Sequence, residues 1–427
     1  MLLNSLTNKP VTVWGYGAEG RAAKTFLEKR GCEVTVIEDP TPIPHSGVIV
    51  KSPGISLYRH DIKMAKYYGA FFTTGVNLFM EAALSMPDSR PLLIGVTGTK
   101  GKSTTSSLIA HLLRAQGNRV ALCGNIGIPA IAMADKLDRF EAVVVEMSSY
   151  MCADLQYPFD ISVVLNLYPE HIDWHKTHEQ YYRDKLNILA KRKPGQVAVL
   201  NAQDPRTAMN VRDVKDVVWF DAMNAVHVFG DWFYDGAAKL FPTDVVPLRG
   251  EHNLKNVCAA LTVVKQAGGD LSLCGEALKT FQPLPHRLQT VAFKKGVMYV
   301  DDSISTTPET AVAALKSFGD FATIVLIAGG FDREQDYSEL ASFVAKGAAK
   351  AVVTLPQTGE RLAQTLEEKG ARAVRAENMD DAVKKAAELS GFGDIVLLSP
   401  AAPSYGIYKN FEQRGDDFAR CVNALED

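Results

Sequence analysis

The sequence predicts an α/β protein with mainly parallel sheets, divided into three domains. Three observations carry this. Short apolar runs alternate with amphipathic helical segments along the whole chain, the pattern of strand–helix units around parallel sheets. The chain has 427 residues, of which 47% are hydrophobic, too many for one ordinary core and enough to bury several. Two proline-bearing breaks, SMPDSRP at Ser85–Pro91 and QPLPHR at Gln282–Arg287, each precede a fresh run of strands and helices. They divide the chain into 1–90, 91–287 and 288–427.

The strands are expected, in order, at Val11–Gly15, Glu33–Ile37, Gly47–Lys51, Leu92–Thr97, Ala142–Glu146, Ile161–Asn166, Val197–Asn201, Met298–Asp302, Ala322–Ala328, Ala351–Thr354 and Asp394–Ser399. Each is a short apolar, β-branched run bounded by polar or glycine residues. No fixed-period repeat and no low-complexity tract interrupts them.

Charge and cysteine usage exclude several functions. With 46 basic and 49 acidic residues the net charge is −3, which leaves no electrostatic footprint for nucleic acid or an anionic membrane. No run of about 18 apolar residues is present to span a bilayer. The six cysteines form no CxxC pair and no disulfide framework. The first residues, MLLNSLTNKP, lack the basic and apolar regions of a signal peptide. A reducing, cytoplasmic location is expected.

Chemistry enters at Gly95–Thr105, GVTGTKGKSTT. A strand runs into this glycine loop and an apolar-periodic helix, SLIAHLLRAQ, runs out of it, the context of a phosphate-binding loop. Loop amides and the helix N-terminus can cradle phosphates. Lys102 would reach the terminal phosphates, and Ser103 or Thr104 would hold Mg²⁺. Val96 stands where the strict GxxxxGK[ST] pattern has its first glycine, and Gly98 follows two residues later. A plain strand–helix turn with a chance lysine explains fewer of these features.

Glu146 ends the strand Ala142–Glu146 and precedes Met147-Ser148-Ser149. Ligands of open α/β sheets bind beyond such carboxyl ends, and a hard cation takes oxygen donors, so Glu146 is a Mg²⁺ ligand candidate. His171, in NLYPEHID at Asn166–Asp173, also follows a strand and could hold a second metal, although a lone histidine is more often structural. GYGAEG at Gly15–Gly20, with Glu38 some 18 residues on, matches the dinucleotide fingerprint. That match raises an NAD-dependent oxidoreductase as a rival, in which the second glycine loop and its metal residues have no place.

TGTKGKST, GNIG (Gly124–Gly127), EMSS (Glu146–Ser149), NLYPEHID, EHNLKN (Glu251–Asn256), LPHR (Leu284–Arg287), DDS (Asp301–Ser303) and KNFEQRG (Lys409–Gly415) occur in this order. As an ordered set they resemble the Mur ligases of peptidoglycan precursor synthesis, over nearly the whole chain. The SPG at Ser52–Gly54 and the C-terminal SPAAPS…KNFEQRG are similar to the glutamate-adding branch. The resemblance implies an N-terminal Rossmann-like domain for a uridine nucleotide, a central P-loop ATPase and a C-terminal Rossmann-like domain for the amino acid. It implies ATP-dependent ligation of glutamate to UDP-N-acetylmuramoyl-L-alanine through an acyl phosphate, with D-glutamate the expected acceptor and L-glutamate the alternative. A monomer is expected.

Carried over by motif, Gly98, Thr99, Lys100, Gly101, Lys102, Ser103, Thr104, Asn256, His286, Arg287 and Asp302 would surround ATP. Ser103, Glu146, His171 and Lys185 would hold metal, two Mg²⁺ ions being implied. Lys185, in the expected helix EQYYRDKLNIL, stands where these ligases carry a lysine carbamylated by CO₂. A helical lysine read alone is ordinarily solvated. Lys102, Glu146, His171 and Lys185 form the implied catalytic set. Gly17, Ala18, Glu19, Glu38, Gly54, Asn125 and Ser148 would contact the UDP-sugar substrate. Thr306, Arg333, Ser404, Lys409 and Phe411 would face the glutamate.

Two stretches depart from the D-glutamate enzymes. DSIST at Asp302–Thr306 replaces their DSKAT, so Ile304 stands where they carry a carboxylate-gripping lysine. The loop Ser404–Phe411 carries Tyr405, Ile407 and Tyr408. Both departures fall on the amino-acid pocket and spare the ATP and metal positions, which implies a re-formed acceptor site. A folate-type polyglutamate ligase shares the ATPase core but begins close to its glycine loop. A non-catalytic nucleotide-binding module would not need Lys102, Glu146, His171 and Lys185.

Overall fold

The structure, a computed structural model, describes residues 3, 6, 9–86, 90–283, 285–318 and 323–426. Residues 87–89 and Leu284 in the two expected breaks, and Ala322 at the start of an expected strand, lie outside the described residues. The chain forms two compact units, Met1–Pro247 with His252–Phe281, and Leu248–Glu251 with Gln282–Asp427. The sequence break near residue 90 therefore falls inside the first unit, and the break near 287 falls just after the change of unit.

The first unit holds two sheets. β1 (Val11–Trp14), β2 (Val34–Ile37), β3 (Val48–Lys51) and β4 (Phe71–Thr73) form a parallel sheet in the order β2-β1-β3-β4. The second sheet has β5 (Leu92–Thr97), β6 (Val120–Gly124), β7 (Ala142–Glu146), β8 (Ile161–Val164), β9 (Val197–Asn201), β10 (Val217–Phe220), β11 (Val226–Phe229), β12 (Trp232–Asp235) and β13 (Ala238–Pro242). Its order is β13-β12-β11-β10-β9-β8-β5-β7-β6, and only the β11–β12 and β12–β13 pairings are antiparallel. β5, β7 and β8 are continuous apolar runs because helices cover both faces of a parallel sheet. The chain leaves β5 toward β6 and β7 on one side and returns to β8 on the other. The loop after β5 thus sits at a topological switch point, where such sheets bind ligands.

The second unit holds β14 (Gln289–Lys294), β15 (Val297–Asp301), β16 (Ile324–Ala328), β17 (Ala351–Thr354), β18 (Ala373–Arg375) and β19 (Ile395–Leu398), in the order β14-β15-β19-β16-β17-β18. β14 is antiparallel and the rest are parallel. The two-residue period of a strand divides β16 between two cores. Ile324, Leu326 and Ala328 pack in one apolar cluster and Val325 and Ile327 in the other, so this sheet is also covered on both faces.

All eleven expected strands are present; four match at both ends, and in the others Gly15, Glu33, Gly47, Leu165, Asn166, Asp302, Thr323, Asp394 and Ser399 lie outside and Val297 is added. The expected helix after residue 178 spans His178–Leu186 and passes into a 3-10 turn at Asn187–Leu189. Among the described residues no helix is long and apolar enough to cross a membrane.

Candidate active site

β5 carries the chain into the loop Gly98–Gly101, and the helix Lys102–Ala115 leaves it. The loop is held from β8's exit. The Thr99 amide donates to the Asn166 carbonyl oxygen at 2.9 Å, the Lys100 amide to Asn166 Oδ1 at 2.9 Å, and Asn166 Nδ2 returns a bond to the Lys100 carbonyl oxygen at 3.0 Å. Gly101 caps the helix at φ +85°, and a Cβ there would lie 2.5 Å from Asn256 Oδ1. Only glycine combines that backbone with that approach. Asn256 is thereby placed against the loop.

Two ammonium groups converge inside the loop. Lys102 Nζ donates to the carbonyl oxygens of Gly98 (3.2 Å) and Thr99 (3.0 Å), and Lys185 Nζ donates to that of Gly98 at 3.0 Å. The Lys185 side chain is buried. Burial first, and then the neighbouring Lys102 charge, bring its pKa from 10.5 down to about 7. Glu170 and Glu146 act in the opposite direction on it. Ser103 and Thr104 occupy the first turn of the helix, with Thr104 buried.

Glu146 lies at the end of β7, directly opposite Val96 of β5. Its side chain is 1% exposed. Asn125 Nδ2 donates to its Oε1 at 2.8 Å, whereas Oε2 has no hydrogen-bond partner among the described residues. A buried carboxylate oxygen without a partner is costly, and such an atom suits a cation. Ser148 is used locally: its Oγ accepts from the Met151 amide at 3.2 Å and caps the helix Ser149–Ala153. His171 precedes the short helix Ile172–His175 and packs against Tyr150, ring centroids 5.1 Å apart.

Among the described residues no three His, Cys, Asp or Glu side chains gather into a metal cage. Mg²⁺ ordinarily needs none, being held by one or two carboxylates together with substrate phosphates. The Glu146 oxygen and the hydroxyls at the start of the glycine-loop helix fit that ion.

In the four-stranded sheet the GYGAEG turn joins β1 to the helix Ala18–Glu28. Ser52 Oγ donates to the Gly15 carbonyl oxygen at 2.9 Å, bringing the SPG turn alongside. Gly17, Ala18 and Glu38 are exposed at this edge. Glu19 instead turns toward Gly75, at the start of the helix Gly75–Leu84, and burial raises its pKa to about 7. Gly54 is joined to the His171 region: Trp174 Nε1 donates to its carbonyl oxygen at 3.0 Å.

In the second unit His286, Arg287 and Asp302 cluster at the end of β15. His286 Nδ1 and Asp301 Oδ2 are 2.7 Å apart. Asp302 accepts from the Leu288 amide (3.2 Å), Ser305 Oγ (2.5 Å) and Ser399 Oγ (2.8 Å), and burial raises its pKa to about 6 despite these bonds and the Arg287 charge. Gly415 explains the glycine of KNFEQRG: a Cβ there would meet His286 Nδ1 at 2.1 Å.

Of the expected glutamate residues, Ser404 lines a cavity of about 350 Å³ at the carboxyl ends of β16 and β17, with Gly330, Leu355, Asn378, Tyr405 and Tyr408. Arg333 is exposed and lies over the Tyr405 ring, 5.5 Å from its centroid. Gln335 Nε2 donates to the Thr306 carbonyl oxygen at 2.9 Å. The Phe411 carbonyl oxygen accepts from Ser303 Oγ at 2.8 Å, and its ring lies edge-on to His286. Lys409 is exposed. Thr306, Arg333, Lys409 and Phe411 are not among the cavity's lining residues.

Sequence reasoning passed over a network beside Lys185, formed by the half-buried Tyr58 and the buried Ser149, His175 and Asp184. Tyr58 stands 126 residues from Asp184 and Ser149 26 from His175, so nothing local in the sequence joins them.

Two family models match the chain. The Mur ligase middle domain matches residues 96–264, and the Mur ligase glutamate ligase domain matches residues 286–402. A UDP-N-acetylmuramoyl-L-alanine--L-glutamate ligase of Xanthomonas campestris pv. campestris (strain 8004) is 38% identical, covering 98% of this chain and 96% of its own. A ligase of the same name from Micromonospora sp. is 37% identical, covering 99% and 98%. The crystal structure of MurF ligase from Thermotoga maritima in complex with ADP superposes with a TM-score of 0.65 at 18% identity, over 97% of this chain and 95% of that one, a likeness of fold.

Proposed function

The chain belongs to the Mur ligase family, ATP-dependent enzymes that form amide bonds, and from that premise we propose that it joins L-glutamate to UDP-N-acetylmuramoyl-L-alanine. One observation carries the ligase chemistry. The Glu146 carboxylate, with one buried oxygen unpartnered, stands beside a glycine loop into which Lys102 and Lys185 both point. The choice of L-glutamate rests on the relatives' names and on Ile304, which removes the cation that D-glutamate enzymes carry.

The substrate carboxylate attacks the γ-phosphorus of ATP, and ADP departs. The glutamate amine then attacks the acyl phosphate, and inorganic phosphate leaves. The loop amides and Lys102 spread the charge of the transferring group, so catalysis is mainly positioning and electrostatics. Glu146, His171 and the Ser103 hydroxyl would hold Mg²⁺, which when bound neutralises phosphate charge. Asn256 would line the ATP site with Gly98–Thr104, and His286, Arg287 and Asp302 are proposed by their motifs as further ATP-binding residues.

Lys185 would act as a carbamate. Only a neutral amine adds CO₂, and burial has brought this one close to neutrality at physiological pH. The carbamate would turn a buried cation into a ligand for a second Mg²⁺. Gly17, Ala18, Glu19, Glu38, Gly54, Asn125 and Ser148 would contact the UDP-sugar. Thr306, Arg333, Ser404, Lys409 and Phe411 would face the glutamate. Domains 1–90, 91–287 and 288–427, a monomeric state and a cytoplasmic location complete the proposal.

The test is product formation from ATP, Mg²⁺ and UDP-N-acetylmuramoyl-L-alanine with each glutamate isomer, followed by mass spectrometry of the nucleotide. Product with the L isomer is expected. Product with the D isomer alone would overturn the stereochemistry, and none with either would overturn the glutamate assignment.

A further inference from the structure

Asp184 immediately precedes Lys185 on the helix His178–Leu186. Its carboxylate gathers three donors. The Tyr58 hydroxyl lies 2.6 and 2.7 Å from its two oxygens, Gln180 Nε2 donates at 2.7 Å, and His175 Nδ1 is 2.6 Å from Oδ2. The other ring nitrogen of His175 lies 3.0 Å from Ser149 Oγ. Ser149, His175 and Asp184 thus stand in the spatial order of a hydrolase triad. They are only 4%, 0% and 6% exposed, however, which leaves no room for a substrate at the serine. The arrangement fixes positions instead.

What it fixes comes from three places. Tyr58 follows the SPG turn, and that segment is tied down by Trp174 Nε1 donating to the Gly54 carbonyl oxygen (3.0 Å) and Ser56 Oγ donating to that of Trp174 (2.8 Å). The Tyr58 ring stands edge-on to Trp174. Ser149 opens the short helix that follows Glu146 by three residues. Asp184 shares a peptide bond with Lys185, whose ammonium rests on Gly98. One carboxylate therefore joins the turn assigned to the nucleotide substrate, the strand end that carries Glu146, and the lysine under the phosphate loop.

We propose that Asp184 is a positioning residue that, through Tyr58 and His175, couples the Gly54–Tyr58 segment to the placement of Lys185. This rests on the reading of Gly54 and Lys185 as site residues. A displacement of about 1 Å of a group beside the reacting centre can lower the rate about 100-fold.

The test uses the full chain. Tyr58→Phe keeps the ring against Trp174 and removes only the hydroxyl that bonds Asp184. Its kcat is expected to fall about tenfold, with KM for ATP and for UDP-N-acetylmuramoyl-L-alanine within about twofold of wild type. Its melting temperature should be unchanged. Asp184→Asn should lose more. A kcat within about twofold of wild type in Tyr58→Phe, or a loss that merely follows a fall in melting temperature, would overturn the proposal. A second measurement separates it from the Lys185 reading. In a Lys185→Ala background rescued by a short carboxylic acid, Tyr58→Phe should have no further effect, because Asp184 acts through Lys185. A further tenfold loss there would overturn the coupling, whereas full activity of Lys185→Ala without additive would overturn the Lys185 reading.

Discussion

The ammonium of Lys185 donates a 3.0 Å hydrogen bond to the carbonyl oxygen of Gly98, inside the loop that also holds Lys102. A buried cation beside a like charge is an unfavourable element of the fold. Burial and the Lys102 charge hold its pKa at about 7 against an ordinary 10.5, so folding works against its charged form.

Lys185→Ala should therefore lose activity without losing stability. Ligation is expected to fall by about 100-fold or more, the scale of removing a preorganised electrostatic group. Short carboxylic acids should restore part of it by supplying the missing carboxylate. The urea midpoint should stay level or rise, since a depressed lysine pKa means that folding works against the charged form. Steady-state rates with and without acetate, alongside urea melts, check both halves.

A second buried lysine gives the opposite expectation. Lys51 Nζ lies 2.8 Å from Asp154 Oδ2, with side chains 0% and 8% exposed. Burial holds the lysine below and the aspartate above their ordinary pKa values, while each partner's charge opposes the shift. Lys51→Met would leave Asp154 buried without its cation and should cost about 3–5 kcal/mol. The double variant Lys51→Met with Asp154→Leu should recover most of that loss. Equilibrium urea unfolding of the three proteins measures the difference, and a single-variant loss below about 1 kcal/mol would show that the pair is not needed.

Eleven strands and the glycine loop after β5 were legible because their signals are local. LLIGVT and AVVVE are buried apolar runs, and the glycines of Gly98–Gly101 sit between a strand and a helix. Of the nineteen strands described, β4, β6, β10, β11, β12, β13, β14 and β18 were not expected; β4, β6, β13, β14 and β18 are edge strands, where β13 reads AKLFP with only Phe241 buried and β14 has no buried residue. The polar partners were hidden for a different reason. The Tyr58–Asp184 bond spans 126 residues of chain, and the burial that leaves one Glu146 oxygen unpartnered is a property of the folded sheet. Sequence reading could nominate Glu146 and Lys185, but could not show that both are buried.

The His286–Asp301 contact gives a pH dependence. The hydrogen bond to Asp301 raises the His286 pKa above 6.5, outweighing burial, and the nearby Asp301, Asp416 and Glu412 charges add to it. A raised folded-state value means that the contribution is fully present below the unfolded pKa, near 6.5, and is lost as pH rises through the folded value. The stability difference between wild type and His286→Ala should therefore be larger at about pH 5.5 than at about pH 8.5. Urea midpoints at the two pH values check it. An equal difference at both would mean that His286 stays in one protonation state across this range.

Arg333 should be the main cation facing the incoming glutamate. It lies over the Tyr405 ring, and Tyr405 follows Ser404 at the cavity beside β16 and β17. Ile304 brings no charge or donor to the position where D-glutamate enzymes carry a lysine. Arg333→Ala should raise the glutamate KM about ten- to a hundred-fold, the loss of one charge-assisted hydrogen bond at roughly 1.5–3 kcal/mol. KM for ATP and for UDP-N-acetylmuramoyl-L-alanine should hardly change. Ile304→Lys tests the stereochemistry from the other side. In a pocket shaped for L-glutamate the new ammonium falls away from the bound carboxylates and should lower activity with the L isomer. In a pocket shaped for D-glutamate it should preserve or improve use of the D isomer. Initial rates with both isomers distinguish the cases. An unchanged KM for either isomer in both variants would place the acceptor away from Arg333 and Ile304 altogether.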